Sequence, residues 1–308
     1  MAGFGPPFRF SGAPAVLTDE VVDPAEADLP ILRFGVIADP QYARLEPANN
    51  RYYEASLRKL GEAIRWFNRH EDLHFVVTLG DLIDRGWESF DDVLPVYAKL
   101  HAPPRFVLGN HDFLVGKSKL ANVPGRVGLS RAYYDFGAAG HRFIVVDGTE
   151  ISLFANRPKS PNHALAEERL AAMTARGDQN ARPWNGGMGD EQFAWLEATL
   201  QRAQEAGERV ILFGHFPAHP FGEHAMWGHD RFTALVTRLP NVLAYFNGHD
   251  HVGNYGELDG THFVNFRGMV EGEHDNAYAR VDVYLDRIEI VGQGVEPSRT
   301  LMLSRRSA

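Results

Sequence analysis

Cysteine is absent from all 308 residues. That excludes disulfides, thiolate metal sites and cysteine nucleophiles, and leaves the redox compartment open. No apolar run reaches the roughly 20 residues that a membrane-spanning helix needs. The opening stretch MAGFGPPFRFSGAPAVLTDE lacks the basic start and apolar stretch of a secretory signal, so a cytoplasmic location is expected. Excess positive charge is missing too. The net charge is −9 with 14 histidines counted as neutral. This argues against a broad nucleic-acid or anionic-membrane surface, and leaves room for a small phosphorylated ligand held by metals. No internal repeat and no clear linker interrupt the chain.

What is present is an ordinary globular composition, with 44% hydrophobic and 23% charged residues, enough to bury a sizeable core. Residues 1–30 are rich in Pro, Gly, Asp and Glu without periodicity and read as an extended arm. Residues 31–300 then read as one domain. ILRFGVIA (31–38), HFVVTLG (74–80) and RFVLG (105–109) are expected strands. Between the first two, residues 54–70 place Leu57, Leu60, Ile64 and Phe67 on one helix face. AYYDF (132–136) and HRFIVVD (141–147) suggest a hairpin around GAAG. A loop-rich insertion at about 149–189, with a short helical piece at 163–176, is long enough to suggest a functional lid. A helix at 190–207 buries Phe193, Leu196, Leu200 and Ala203, and strands follow at 208–214 and 242–248. From about 253 the chain reads as strands with little helix. Strand–helix alternation followed by strands predicts an α/β arrangement of mixed sheets with helices outside.

The polar residues concentrate where these strands end. The first ends in Asp39 and Gln41, the second in GDLID with Asp81 and Asp84, and the third in GNHD with Asn110, His111 and Asp112. RVILFG runs into GHFPAHP with His215 and His219, and LAYFNG into GHDH with His249 and His251. Singly, each is a common turn former or an ordinary histidine. Five in one chain, four of them with glycine directly before the polar residue, are not five accidents. Open α/β sheets bind ligands beyond the carboxyl ends of their strands. Seven donors, Asp39, Gln41, Asp81, Asn110, His215, His249 and His251, are too many for one tetrahedral zinc. They suit two divalent ions sharing a carboxylate, of the Mn²⁺, Mg²⁺, Fe or Zn²⁺ kind. Two such ions about 3.5–4 Å apart can hold a hydroxide and clamp a phosphoryl oxygen.

The ordered motifs D-x-Q, G-D-x-x-D, G-N-H-D, G-H and G-H-x-H resemble those of the calcineurin-like metallophosphoesterases. Their first motif is commonly D-x-H, whereas here it is Asp39-Pro40-Gln41. That departure, with FGVIADPQY, WNGGMGDEQFAWL, GHFPAHP and FNGHDH, is similar to the manganese-dependent ADP-ribose/CDP-alcohol diphosphatase subgroup. The resemblance covers about residues 31–270. It implies a four-layer αββα sandwich, with a first metal on Asp39, Gln41 and His251, a second on Asn110, His215 and His249, and Asp81 bridging them. It also implies His111 as the acid at the leaving group, oriented by Asp84, and Mn²⁺ as the expected metal.

Physical chemistry supports the last pair, since a carboxylate beside an imidazole fixes its tautomer and favours its protonated form. Asp84 is equally placed to cap a helix. Gln41, neutral and weakly basic, would make the first metal labile and favour Mn²⁺ or Mg²⁺ over Zn²⁺; alternatively it only hydrogen-bonds a ligand water. Tyr42, Phe113, Phe154, Trp184 and Phe216 are candidates to stack a nucleobase, or ordinary packing residues. Arg85 follows Asp84 and could reach a substrate phosphate. Arg157, Lys159 and Arg182 in the insertion could meet a diphosphate, and His219 lies beside the second metal's motif. The expected activity is hydrolysis of the diphosphate in nucleotide conjugates. The alternatives are a phosphomonoesterase, cyclic-nucleotide phosphodiesterase or protein phosphatase on the same site, or a non-catalytic assembly subunit on the same fold.

Overall fold

The structure is a computed structural model that describes residues 29–303. The expected arm therefore lies outside the described residues except for its last two positions. The chain order begins β1 (Leu32–Ile37), α1 (Ala55–Phe67), β2 (Phe75–Leu79), α2 (Ser89–Tyr97), β3 (Pro104–Val107) and α3 (Val123–Arg126). It continues with β4 (Tyr134–Ala138), β5 (His141–Val145), α4 (Pro161–Arg176), α5 (Asp190–Glu205), β6 (Arg209–Phe213) and α6 (His229–Thr237). The remainder is strand: β7 (Val242–Asn247), β8 (Asn254–Leu258), β9 (Thr261–Asn265), β10 (Ala277–Val283), β11 (Arg287–Gly294) and β12 (Arg299–Met302).

Two six-stranded sheets result, ordered β12-β11-β10-β1-β2-β3 and β4-β5-β6-β7-β9-β8. Both are mixed. β1, β2 and β3 run parallel at one side of the first sheet, and β5, β6, β7 and β9 run parallel through the second. The sheets stack face to face over Phe34, Phe75 and Val77 from one and Phe143, Phe213 and Phe246 from the other. Phe34 meets Phe143 and Phe213 edge-on, each at 5.7 Å between centroids. α1, α2 and α3 cover the outer face of the first sheet, while α5 and α6 cover that of the second. Four layers follow, as expected. Burial on both faces explains why β2 is apolar throughout apart from Thr78 rather than alternating.

Local chemistry sets the ends. β4 and β5 turn through Ala139 and Gly140, with φ of 46° and 72°, the two positive φ values that a two-residue hairpin of matching twist requires. The helix in the insertion is longer than its sequence suggests. Ser160 caps it, accepting from the His163 amide, with Pro161 as its first residue. α1 ends three residues before its expected limit. α2, α6 and β12 are not evident from the sequence. α2 contains Pro95, a poor helix signal that is tolerated in its last turn, and α6 and β12 are only nine and four residues long. Among the described residues no helix is long and apolar enough to cross a membrane.

Candidate active site

Asp39, Asp81, Asn110, His215 and His249 each follow the carboxyl end of a parallel strand: β1, β2, β3, β6 and β7. The chain turns sharply there. Asp39, Gln41, Asp81 and His249 hold φ of 48°, 42°, 52° and 70°, the left-handed region that non-glycine residues occupy at a cost of order 1 kcal/mol or more. Four of the seven expected donors thus sit on strained backbone, which persists only where the surroundings over-determine it. Backbone bonds between adjoining loops fix them. The Gln41 amide donates to the Asp81 carbonyl at 2.8 Å and that of Asp84 to the Tyr42 carbonyl at 2.9 Å. Two glycines are required by close approach. A Cβ at Gly109 would collide with the Asp81 carboxylate, and one at Gly248 with that of Asp39.

The side chains converge on one cluster. His215 holds its Nδ1 2.8 Å from the Leu79 carbonyl, so Nδ1 carries the proton. Its Nε2 faces Asn110 Oδ1 at 3.0 Å and Asp81 Oδ2 at 3.3 Å. The Nε2 of His249 donates to Asn185 Oδ1 at 2.9 Å, which leaves the lone pair of Nδ1 free to bind a cation. Asp81, His215 and His249 each present a ligand atom within 4.8 Å of the others. On the other side, His251 Nε2 lies 3.5 Å from Asp39 Oδ1 and 3.0 Å from the Gln41 amide nitrogen, while its Nδ1 contacts Glu271 Oε1 at 2.7 Å.

This donor set fits a pair of hard divalent cations. Asp39 and Asp81 are fully buried carboxylates whose ion-pair partners are histidines. Burial would raise the Asp81 pKa, but the neighbouring His215 and His111 hold it far below the usual carboxylate range. Burial likewise pulls the histidines down, yet the carboxylates push His215 and His251 up to about 9. The pocket draws positive charge onto itself, which a bound metal would satisfy. Gln41 gives a second sign. Its Oε1 is buried without a partner, while its Nε2 points between Asp81 Oδ2 and His251 Nε2. A half-turn of the amide brings the oxygen to that meeting point of donors.

His111 opens the short 3-10 turn His111–Phe113, and its amide donates to Asp81 Oδ1 at 2.7 Å. Its Nδ1 lies 2.9 Å from Asp84 Oδ1. Asp84 is fully buried and caps no helix; α2 starts after Glu88. Burial lowers the His111 pKa, but Asp81 and Asp84 raise it by more. A cleft of about 320 Å³ exposes His111, Asn110, His249 and His251 together with Arg51, Trp184 and His224.

The structure does not bring every sequence candidate to this cleft. Tyr42 is packed beneath α1 and α2, with its hydroxyl donating to Asp92 at 3.0 Å. It alternates with the inward Gln41 and so points away. Phe216 is fully buried behind the histidines, 4.6 Å from the His249 ring. His219 packs on Phe263 outside the cluster. Arg182 pairs with Glu223 and lies over Trp184, whereas Arg157 and Lys159 are exposed away from the cleft. Arg85 bonds Asp84 at 2.6 Å, and Phe113 and Phe154 line an adjoining pocket.

Five further residues join the site: Arg51, Asp112, Asn185, His224 and Glu271. Asp112 accepts the amides of Asp81, Leu82, Ile83 and Gly109, tying the loops after β2 and β3 together. Burial and the adjacent Asp81 push its carboxyl up to about 7. Its place in GNHD is its only sequence signal, and Asn185 has one only in WNGGMG.

The calcineurin-like phosphoesterase family model matches residues 32–253. A protein named manganese-dependent ADP-ribose/CDP-alcohol diphosphatase, from Arabidopsis thaliana, is 30% identical over 298 residues, spanning 85% of this chain and 94% of that protein. A protein of the same name from Mus musculus is 28% identical and spans 95% of this chain and all of its own length, 100%. Among solved structures, a dimetal phosphatase from Danio rerio superposes with a TM-score of 0.80 at 28% identity, covering 89% of this chain and 100% of that one.

Proposed function

This chain belongs to the calcineurin-like phosphoesterase family and is a metal-dependent hydrolase; from that premise we propose that it cleaves the diphosphate of nucleotide conjugates of the ADP-ribose or CDP-alcohol type. The observation that carries the proposal is the convergence of seven donors from five strand ends beside an acid, His111, that is already held by a buried carboxylate. Asp39, Gln41 and His251 would hold one divalent cation, Asn110, His215 and His249 the other, and Asp81 both, with manganese the expected metal. Bound there, the cations would neutralise phosphate charge and lower the pKa of an attacking water.

The protein's own groups do the rest. His111 keeps Nδ1–H on Asp84, so Nε2 delivers its proton to the departing oxygen, and the tautomer left behind is the one Asp84 favours. Arg51 faces the cleft and adds positive charge toward the phosphates. Trp184, from the 149–189 insertion, forms part of the wall, which supports reading that insertion as a cover over the cleft. The cleft is polar and complete in its donors, which speaks against the assembly-subunit alternative. A cytoplasmic enzyme acting on small nucleotide conjugates, not nucleic acid, completes the proposal, in keeping with the net charge of −9.

The test is product analysis. Protein stripped of metal and reloaded with Mn²⁺ is offered CDP-choline, ADP-ribose and p-nitrophenyl phosphate, with His111→Ala as control. The expected result is CMP or AMP, lost in the variant. Turnover of the monoester alone would keep the two-cation site and reject the diphosphatase reading.

A further inference from the structure

A second pocket, of about 430 Å³, is lined by Arg85, which bonds Asp84, and by Phe113 of the His111–Phe113 turn, and has no role in the machinery described so far. Its polar wall is Arg85, Lys117 and Asn156, its apolar wall includes Phe113, Leu153 and Phe154, and no carboxylate lines it. In a chain of net charge −9 that selection is specific. The pocket on the other flank of the cleft, beside His224, contains both Glu223 and Asp250.

The link to His111 is direct. His111 Nδ1 lies 2.9 Å from Asp84 Oδ1 and 3.2 Å from the Asp84 backbone carbonyl, and Arg85 Nε donates to Asp84 Oδ2 at 2.6 Å. The guanidinium is thereby pinned at one nitrogen. Its two terminal nitrogens have no partner among the described residues, and the side chain is 56% exposed. Lys117 is exposed and likewise unpaired among the described residues. Phe113 stands two residues after His111, and Phe154 of the insertion faces it at 6.3 Å between centroids.

Resting on the diphosphatase reading above, we propose that this pocket is the leaving-group subsite: Arg85 and Lys117 grip the departing phosphomonoester, and Phe113 and Phe154 receive its organic part. The chemistry requires such a place. The water oxygen, after releasing one proton to solvent, bonds to the attacked phosphorus as the bond from that phosphorus to the bridging oxygen breaks. The electron pair goes to the bridging oxygen and the proton comes from His111 Nε2. In-line geometry puts that oxygen, with the second phosphate, on the acid's side of the cleft, where the free terminal nitrogens of Arg85 and the ammonium of Lys117 lie. Arg85 then holds the acid through Asp84 and the product through its free nitrogens. That makes a leaving group with its own phosphate preferable to one without.

The experiment compares kcat/KM for ADP-ribose with that for a nucleoside 5′-phosphate p-nitrophenyl ester, whose leaving group carries no phosphate. In Mn²⁺-loaded enzyme, the diphosphate-to-ester ratio is expected to fall about tenfold to a hundredfold in Arg85→Ala and Lys117→Ala, the usual range for losing a charged hydrogen bond. Loss of the acid's support in Arg85→Ala lowers both substrates together and cancels in the ratio. Lys119→Ala, which removes an equal charge outside the pocket, keeps the wild-type ratio. Free ribose 5-phosphate is expected to inhibit ester hydrolysis less strongly in both pocket variants. An unchanged ratio and unchanged inhibition in an enzyme that does cleave ADP-ribose would overturn the subsite alone. Wild-type enzyme that turns over the ester and no diphosphate would overturn the parent reading, and with it this leaving group.

Discussion

His215 and His249 are held from behind by the protein's interior, whereas His251 is held by a surface carboxylate. The first uses the Leu79 carbonyl and the second the fully buried Asn185, which is itself locked by bonds to the Asn180 and Glu223 carbonyls. His251 instead leans on Glu271, whose side chain is 28% exposed and is shared with Asn50 and Arg51. The donor sets differ too. One half offers two imidazoles and an amide, the other one imidazole, one carboxylate and the orphaned amide of Gln41. Rigid, buried supports favour a tightly kept cation, and a partly solvated support favours an exchangeable one. The proposed centre is therefore asymmetric, with a retained cation at His215 and His249 and a labile one at Gln41 and His251.

Asp81 is the residue both halves share, and its removal would break the comparison altogether. Asp81→Ala is expected to lose both cations and to lower kcat by about 10³-fold or more, read by metal analysis beside turnover. His111→Ala sharpens the contrast from the other side. It is expected to cost about 10²–10⁴-fold in kcat while both cations remain bound.

The supports come next. Asn185→Ala is expected to weaken the tight cation about tenfold to a hundredfold, and Glu271→Gln the labile one by a similar factor. Mn²⁺ titration should show each loss confined to its own half. The smallest effect is on pH. The acid must be protonated to act, and Asp84 helps Asp81 raise the His111 pKa against its burial. Asp84→Asn removes that help, so the alkaline fall in kcat/KM is expected at lower pH than in wild type. A limb that stayed in place would show that another group titrates there.

The two halves were not equally legible in the sequence. Every proposed donor announces itself, because a polar side chain just after a buried apolar strand needs a reason; β1 and β7 each supply two, and β2, β3 and β6 one each. The supports do not. Asn185 meets His249 across 64 positions and Glu271 meets His251 across 20, contacts that only the packed sheets create. Tyr42 and Phe216 illustrate the reverse. Adjacency to a motif made them look like substrate contacts, yet alternation along an extended segment turns Tyr42 outward, and packing behind the imidazoles hides Phe216. Mixed sheets with helices outside were readable from the apolar runs and their four-layer stacking only through the resemblance, while α2 was masked by Pro95.

The asymmetry can be measured directly by calorimetric titration of Mn²⁺ into metal-free protein. Two ions per chain are expected, binding in separate steps, with the weaker step abolished by Gln41→Ala and the tighter one retained. A single ion per chain, or two steps that Gln41→Ala weakens equally, would contradict this account of the centre.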